Sequence, residues 1–314
     1  GVFDDENKAT VGNWAYPDTG RWDPERNTDE LAGNLTGYKA AGMHAFTVGL
    51  MGGSPQCYGN EGWVVSAFKS DGTLKPAWLG RLDRLLGAAD AAGMIVIVQY
   101  FYSYQFAALK EPEKAVDAVT KWLLQTGRNN FLIEVFNERC DATQARYIDQ
   151  VHAIGAAAGR TLLASVSCGG GGMPADEVIA SADFVLLHGN GQSPASVRAL
   201  VDKVRAADTY TPKPVVFNED DHGNFGGDSN LAAAVSSRAS WGFLCCCKAD
   251  TPATHYARSS GYQCPPVNWG LEGECLSGSG GKHEPNMTKG EFFAATRALT
   301  AAPPAAPARA MRVA

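Results

Sequence analysis

The sequence predicts an α/β protein, a (β/α)₈ barrel of the TIM type. Short apolar, β-branched runs alternate along the chain with segments whose apolar residues recur at helical spacing, which is typical of parallel strands joined by crossover helices. The chain has 314 residues and 45% hydrophobic content, and a barrel of this type needs about 250 residues. We therefore expect a single barrel, with two smaller domains as the alternative.

Seven candidate strands are visible, each a short run rich in Val, Ile, Leu and Phe. They are residues 45–50, 94–101, 131–138, 161–168, 184–190, 214–220 and 240–246. An eighth strand should precede the first helix, where only the run Gly1-Val2-Phe3 is available. We expect this first strand to be truncated or to lie upstream of residue 1, unless the barrel closes in another way.

The candidate helices fall between these strands. They are residues 29–41, 77–92, 111–125, 143–158, 193–207, 231–238 and 289–299. In the second of them Leu79, Leu82, Leu85 and Leu86 recur at the spacing of one helix face. The barrel is predicted to span residues 1–299, with a long loop at 247–288 that could cover the active site. Residues 300–314 are rich in Pro and Ala and are typical of a linker or tail.

Charge and hydropathy exclude some partners. The formal net charge is -6 and the sequence pI is about 5.5, so the chain lacks the basic surface that nucleic acids and anionic lipids attract. No apolar run approaches the roughly 20 residues that a membrane helix needs. We expect no nucleic-acid partner and no membrane span.

Cysteine usage favours an oxidising compartment. The chain contains eight cysteines, and their spacing does not match a zinc site. They are Cys57, Cys140, Cys168, Cys245, Cys246, Cys247, Cys264 and Cys275. Two N-x-[ST] sequons, at Asn34 and Asn286, point the same way. We expect disulfide bonds, glycosylation and secretion from a processed or incompletely covered chain, with buried free thiols as the alternative.

Two of the candidate strands end in the dipeptide Asn-Glu. One ends at Asn137-Glu138 and the other at Asn218-Glu219. If the missing strand is counted first, these are strands four and seven, and in a barrel the C-terminal ends of all strands open on the active-site face. Two carboxyl groups facing one cleft provide what cleavage of a glycosidic bond requires: one donates a proton to the leaving oxygen, and the other attacks the anomeric carbon or activates water.

In these motifs and in strand order the chain resembles the retaining clan A glycoside hydrolases, especially the cellulase-like family 5 group. The resemblance implies that Glu138 is the general acid/base, Glu219 the nucleophile and Asn137 the partner of the sugar 2-hydroxyl. It also implies that Trp241 forms a floor under the sugar and that His188 contacts the nucleophile. Residues 14–22, 186–190 and 262–270 resemble a poorly characterised branch of the group. Two departures from the group are Arg139 in place of proline and a second strand that ends without arginine.

Aromatic and polar residues at the strand ends complete the predicted sugar site, because a pyranose stacks on an aromatic ring while its hydroxyls form hydrogen bonds. Tyr100 and Tyr102, Asn190 and His222 are further candidates for substrate contacts. Outer subsites could be lined by four more residues, which are Trp14, Trp22, Trp63 and Trp269.

Several of these features have other interpretations. Glu134 has the same strand parity as Glu138, which predicts a structural carboxylate inside the barrel that pairs with a buried base. Residues 219–222 could bind a metal ion, but successive strand residues point to opposite faces, and we expect neither a metal nor a cofactor. The glycines at 169–172 could hold a phosphate, although a rim loop fits the spacing better.

The sequence therefore predicts a glycosidase that cleaves a β-linked substrate by double displacement. Carboxyl groups about 5 to 5.5 Å apart would support retention, and about 6.5 to 9.5 Å would indicate inversion. The alternative is an inactive barrel that serves as a carbohydrate-binding or structural subunit of an assembly.

Overall fold

The structure is a computed structural model that describes Tyr16 and residues 18–52, 65–244, 269–272, 274–275 and 287–301. Predictions for the first strand, Trp14, Trp63, the Asn286 sequon, most of the loop at 247–288 and the tail beyond residue 301 lie outside these residues. No described helix is long and apolar enough to cross a membrane.

Parallel strands lie at all seven predicted positions. They are β1 (Ala45–Gly49), β2 (Ile95–Tyr102), β3 (Phe131–Asn137), β4 (Ala164–Ser165), β5 (Val185–His188), β6 (Val215–Glu219) and β7 (Ser240–Trp241). Strands β1, β2, β3 and β4 pair in that order in one sheet, and β5, β6 and β7 pair in that order in a second sheet. A parallel bridge between Ser167 and Leu186 lies between the two groups. The strands therefore follow one another in chain order, as successive βα units predict.

Helices separate the strands. They are α1 (Pro24–Ala40), α2 (Pro76–Ala91), α3 (Pro112–Gln125), α4 (Ala145–Ala157), α5 (Asp176–Ser181), α6 (Pro194–Arg205), α7 (Asn230–Ser236) and α8 (Lys289–Ala301), the last preceded by a short antiparallel pair, β8 (Glu274–Cys275) and β9 (Met287–Thr288). Helix α5 was not predicted from the sequence, because its six residues are too few to show a helical period. Helix α1 begins before the predicted residue 29 because Asp23 accepts a hydrogen bond from the Arg26 amide and Pro24 occupies the first turn.

The main core lies between the strands and the helices. Leu82, Leu85 and Leu86 of α2 are fully buried, as the helical spacing predicted, and so are Val96 and Val98 of β2. Among the predicted outer tryptophans, Trp22 is buried and stacks on Tyr16, and Trp269 is buried beside the central cavity. The amide of Asn34 in α1 donates a hydrogen bond to the Glu30 carbonyl.

The curved sheet encloses a cavity of about 690 Å³. The described residues contain no strand that pairs with both β7 and β1, so barrel closure by an eighth strand stays a prediction. Helix α8 packs beside this region, where Phe293 stacks on Tyr38 of α1 and Thr296 donates a hydrogen bond to the Ala41 carbonyl. Ile95 and Leu299 line the cavity and are partly exposed there.

Candidate active site

The candidate site lies at the C-terminal ends of β3, β5, β6 and β7. Glu138 directly follows β3 and has a φ of 57°, a left-handed conformation that costs a non-glycine residue about 1 to 2 kcal/mol. Its amide donates a hydrogen bond of 3.0 Å to Ser167 Oγ, which holds this turn in place. Strained backbone of this kind is common at functional sites.

Glu219 is the last residue of β6 and faces the same cavity as Glu138. The side-chain amide of Asn190 donates a hydrogen bond of 2.6 Å to Glu219 Oε1. A ligand-type atom of Glu138, one of Glu219 and one of His188 all lie within 4.8 Å of one another. Two carboxyl groups from well-separated parts of the sequence therefore meet at one point.

His188 lies between the two glutamates. Its Nδ1 is 3.4 Å from Glu138 Oε1 and 3.8 Å from Glu219 Oε2. The register of β5 against β6 shifts between Leu187 and His188, so that His188 pairs with Glu219. An irregularity of this kind redirects a side chain, and nothing in the local sequence indicates it.

The surroundings of His188 favour the charged, imidazolium form of its side chain. Burial by itself lowers the pKa of His188, but the charge of Glu219, the hydrogen bond to Glu138 and the charge of Glu134 together raise it to about 9. The side chain is fully buried. The site therefore holds a cation within reach of both carboxyl groups.

Glu134 lies in the interior of the curved sheet, below the pair. It is fully buried, and Asn218 Nδ2 donates a hydrogen bond of 3.1 Å to its Oε2. Burial raises the pKa of Glu134 to about 7, while the nearby charge of His188 acts in the opposite direction. The sequence predicted a buried base paired with Glu134, whereas the hydrogen-bond partner in the structure is the neutral Asn218 amide, and His188 acts on Glu134 through its charge.

Other predicted residues line the same cavity. Asn137, Tyr102 and Trp241 face it together with Glu138 and Glu219. The Tyr102 ring packs against Gly52, where a Cβ would lie 2.8 Å from the ring, so a glycine is needed for this close approach.

Tyr100 does not reach the cleft. It is fully buried, and its hydroxyl lies 3.1 Å from Thr120 Oγ1 of α3. Gln99 and Tyr102 both line the cavity, although Tyr102 has the same strand parity as Tyr100. Regular alternation therefore ends between Tyr100 and Tyr102, at the end of β2, and Tyr100 lies on the side of the helices. The sequence predicted that Tyr100 contacts substrate together with Tyr102, whereas the structure buries Tyr100 beside α3.

His222 lies outside the cavity lining. Its Nδ1 is 2.9 Å from Asp220 Oδ1 and 3.0 Å from Asp221 Oδ1, and these contacts raise the pKa of His222 to about 10. These three side chains converge because they follow the end of β6, where strand alternation no longer applies. Glu219 is not part of that group. The imidazolium of His222 supplies a positive charge to both aspartates.

A disulfide bond joins the two segments beside Glu138. Cys140, shortly after β3, is bonded to Cys168, shortly after β4. The next residue, Gly169, packs against Glu138, with its Cβ position 3.6 Å from Oε1. The glycine run continues against the end of β5, where the Gly171 amide donates to the His188 carbonyl. The sequence predicted disulfide bonds and a rim loop here. It offered Asp220 only as part of a possible metal site, and no motif marks Ser167.

The comparisons with known proteins concern the fold. A family 5 glycoside hydrolase from Bacteroides vulgatus superimposes with a TM-score of 0.51 and 13% sequence identity, covering 69% of this chain and 54% of that one. At the level of fold, this chain is similar to the family 5 glycoside hydrolases. A second structure, described as a glycoside hydrolase, gives the same score and identity and covers 69% of this chain and 57% of its own. No protein-family model and no curated protein matches the sequence.

Proposed function

We propose that this protein is a glycoside hydrolase that cleaves a β-linked sugar by a retaining, double-displacement mechanism. The observation that carries the proposal is the pairing of Glu138 with Glu219 at two strand ends beside one cavity. A carboxylate oxygen of each lies within 4.8 Å of the other. This proximity favours direct attack by one carboxylate, because an inverting pair leaves room for a water molecule and stands about 6.5 to 9.5 Å apart.

In the first step the Glu219 carboxylate attacks the anomeric carbon while protonated Glu138 donates its proton to the leaving oxygen. Asn190 binds Oε1 of Glu219, which leaves Oε2 for the attack. The product of this step is a covalent glycosyl ester on Glu219 and a free alcohol. Glu138, now ionised, removes a proton from water, which attacks the ester and releases both the sugar and Glu219.

His188 supports both steps through its charge. Before the attack its imidazolium compensates the anion on Glu219, and after proton transfer it compensates the anion on Glu138, because its Nδ1 lies within 3.8 Å of a carboxylate oxygen of each. Neither distance is that of a short charge-assisted hydrogen bond, which is about 2.7 to 2.9 Å. Both carboxyl groups therefore stay available for substrate.

The substrate is a β-linked oligo- or polysaccharide bound against Trp241 and Tyr102, with Asn137 beside the sugar 2-hydroxyl. Both rings and the amide line the cavity with the two glutamates. The Cys140–Cys168 disulfide suits secretion to an oxidising compartment, where such polysaccharides are met.

The test is hydrolysis of a panel of aryl β-glycosides and β-glucans and β-mannans by the wild-type protein and by Glu219→Ala and Glu138→Ala. We expect each variant to lose at least about a thousandfold in kcat on a natural polysaccharide, because the two residues act as a unit. Thermal unfolding of each variant is the control for folding. Unchanged activity of Glu219→Ala would overturn the assignment.

The stereochemistry of the first product tests the mechanism separately. Proton NMR of a β-glycoside digest should show the β-anomer first, followed by mutarotation, and an initial α-anomer would contradict double displacement. Oligosaccharide binding without any turnover would instead favour the inactive subunit as the function of this barrel.

A further inference from the structure

A fully buried carboxylate lies next to the proposed nucleophile. Asp220 directly follows Glu219, and its two oxygens accept four hydrogen bonds from three parts of the chain. Oδ1 accepts from the amide and Nδ1 of His222, at 3.0 and 2.9 Å, and from Asn230 Nδ2 of α7 at 3.3 Å. Oδ2 accepts from Trp241 Nε1 at 2.7 Å. A buried charge is retained in a fold only where such partners satisfy it.

The bond from Asp220 determines how the Trp241 ring is oriented. An indole has a single N–H donor, and a bond from it to a fixed carboxylate excludes rotation of the ring about its bond to Cβ. Phe243 stacks on the indole at 5.9 Å with an interplanar angle of 18°, and Phe225 meets it at 5.9 Å and 76°. Phe292 is a third aromatic neighbour, at 6.5 Å. The indole is thus held by one polar bond and three aromatic contacts, while it still lines the cavity beside Glu219.

Close packing ties Asp220 to the other side of the site. Gly189 lies between His188 and Asn190, the two residues that contact Glu219, and a Cβ at this position would lie 2.5 Å from Asp220 Oδ2. The Gly189 amide also donates a hydrogen bond of 2.7 Å to the Glu219 carbonyl. The nucleophile and the indole are therefore positioned against the same buried carboxylate.

We propose that Asp220 is a positioning residue that acts through Trp241 Nε1–H and sets the plane of the indole wall against which a pyranose ring stacks. The effect of Asp220 on catalysis rests on the proposed function, whereas the orientation of the indole by Asp220 does not depend on it. A sugar stacked on that plane presents its anomeric carbon to Glu219 in one orientation, and a small misplacement of reacting groups can cost up to about a hundredfold in rate.

The geometry can be tested on the protein without substrate. In ¹⁵N-tryptophan-labelled protein, the Nε1–H signal of Trp241 is the one that Trp241→Phe removes. We expect Asp220→Asn to move this signal upfield and to speed its exchange with water at least about tenfold, because a strong charge-assisted bond is lost. Asp221→Asn is the matched control, since Asp221 contacts the same His222 side chain and accepts a hydrogen bond from the Gly191 amide, while the indole N–H donates to Asp220. An unchanged Trp241 signal in Asp220→Asn would refute the proposal even if the protein hydrolyses no glycoside.

A double-mutant cycle tests whether the bond between Asp220 and Trp241 affects catalysis. We expect Asp220→Asn and Trp241→Phe each to lower kcat/KM by about tenfold or more, and the double variant to be no worse than Trp241→Phe alone, because the two residues act through one bond. Additive losses would overturn the proposal. If Asp220→Asn fails to fold, Trp241→Phe still tests the bond, because it keeps an aromatic ring and all of Asp220 while it removes the N–H donor together with the five-membered ring of the indole. Wild-type kcat/KM in that variant would show that the bond has no positioning role.

Discussion

At the scale of single residues, the backbone of Glu138 is unusual. Among the described residues, only Glu138 and Arg238 have a positive φ without being glycine. The Glu138 amide is bound by Ser167 Oγ of the neighbouring segment. The turn that presents the proposed acid/base therefore depends on a hydroxyl that belongs to another βα unit.

This dependence predicts the effect of Ser167→Ala. The Glu138 amide would lose its acceptor, and we expect a loss of about 1 kcal/mol in the free energy of unfolding together with about a tenfold lower kcat. Thermal unfolding and steady-state kinetics measure the two effects. Ser165→Ala is the matched control, because Ser165 is a buried serine of β4 whose Oγ donates a hydrogen bond to the adjacent Val166 carbonyl. Equal effects on kcat in the two variants would show that the Glu138 turn is held by other contacts.

At the scale of secondary structure, the ends of the strands decide which side chains meet. Seven short apolar runs and the helical spacing between them predicted the positions of β1 to β7 and seven of the eight helices, because strand and helix periodicities are local properties. The direction of Tyr100, the register shift at His188 and the convergence of Asp220 with His222 were not predictable in this way. Each depends on how one element lies against the next.

The disulfide is an element-scale feature because it joins the segment after β3 to the segment after β4. Cys140 and Cys168 are 28 residues apart, and a bridge that closes a loop of this length stabilises the folded state by about 3 kcal/mol. We expect Cys140→Ser/Cys168→Ser to lower the free energy of unfolding by that order and to lower kcat, since the bridge flanks Glu138.

Chemical denaturation with and without dithiothreitol measures the contribution of the Cys140–Cys168 bridge to the free energy of unfolding. Without reductant, the double variant should unfold at a lower denaturant concentration than the wild-type protein. Because six other cysteines remain in the double variant, the effect of the reductant on that variant measures their contribution separately. Equal stability of the wild-type protein in both conditions would mean that the bridge contributes nothing.

At the scale of the whole molecule, the fold brings together polar and charged side chains that are far apart in the sequence. Glu134 from β3, His188 from β5 and Asn218 from β6 meet in the interior below the proposed catalytic pair. The protein thereby buries a carboxyl group whose pKa burial raises to about 7.

That raised pKa predicts how stability changes with pH. The folded pKa of about 7 lies above the ordinary value of 4.5, so the stabilisation from neutral Glu134 is fully present below about pH 4.5 and is lost as pH rises through 7. Glu134→Gln is neutral at every pH. We therefore expect the melting temperature of this variant, relative to that of wild type, to rise between pH 4.5 and 7.5. The corresponding change in the free energy of unfolding is about 1.4 kcal/mol for each unit by which the folded pKa exceeds the ordinary one.

Differential scanning calorimetry at several pH values gives this comparison. Glu177→Gln, an exposed residue of α5, is the control and should show no such trend. A constant difference between Glu134→Gln and wild type would mean that Glu134 ionises in the folded protein at its ordinary pKa.

The sequence by itself determined the parallel α/β order of the chain and placed Asn137, Glu138 and Glu219 at strand ends. It could do so because apolar runs and their spacing are properties of neighbouring residues in the sequence. Only the tertiary structure decided that His188 lies between the two glutamates, that Asp220 holds Trp241 and that Tyr100 faces the helices. These arrangements depend on strand register and on contacts between residues far apart in the chain. A one-residue shift in register or a turn after a strand end changes the direction of a side chain without any mark in the local sequence.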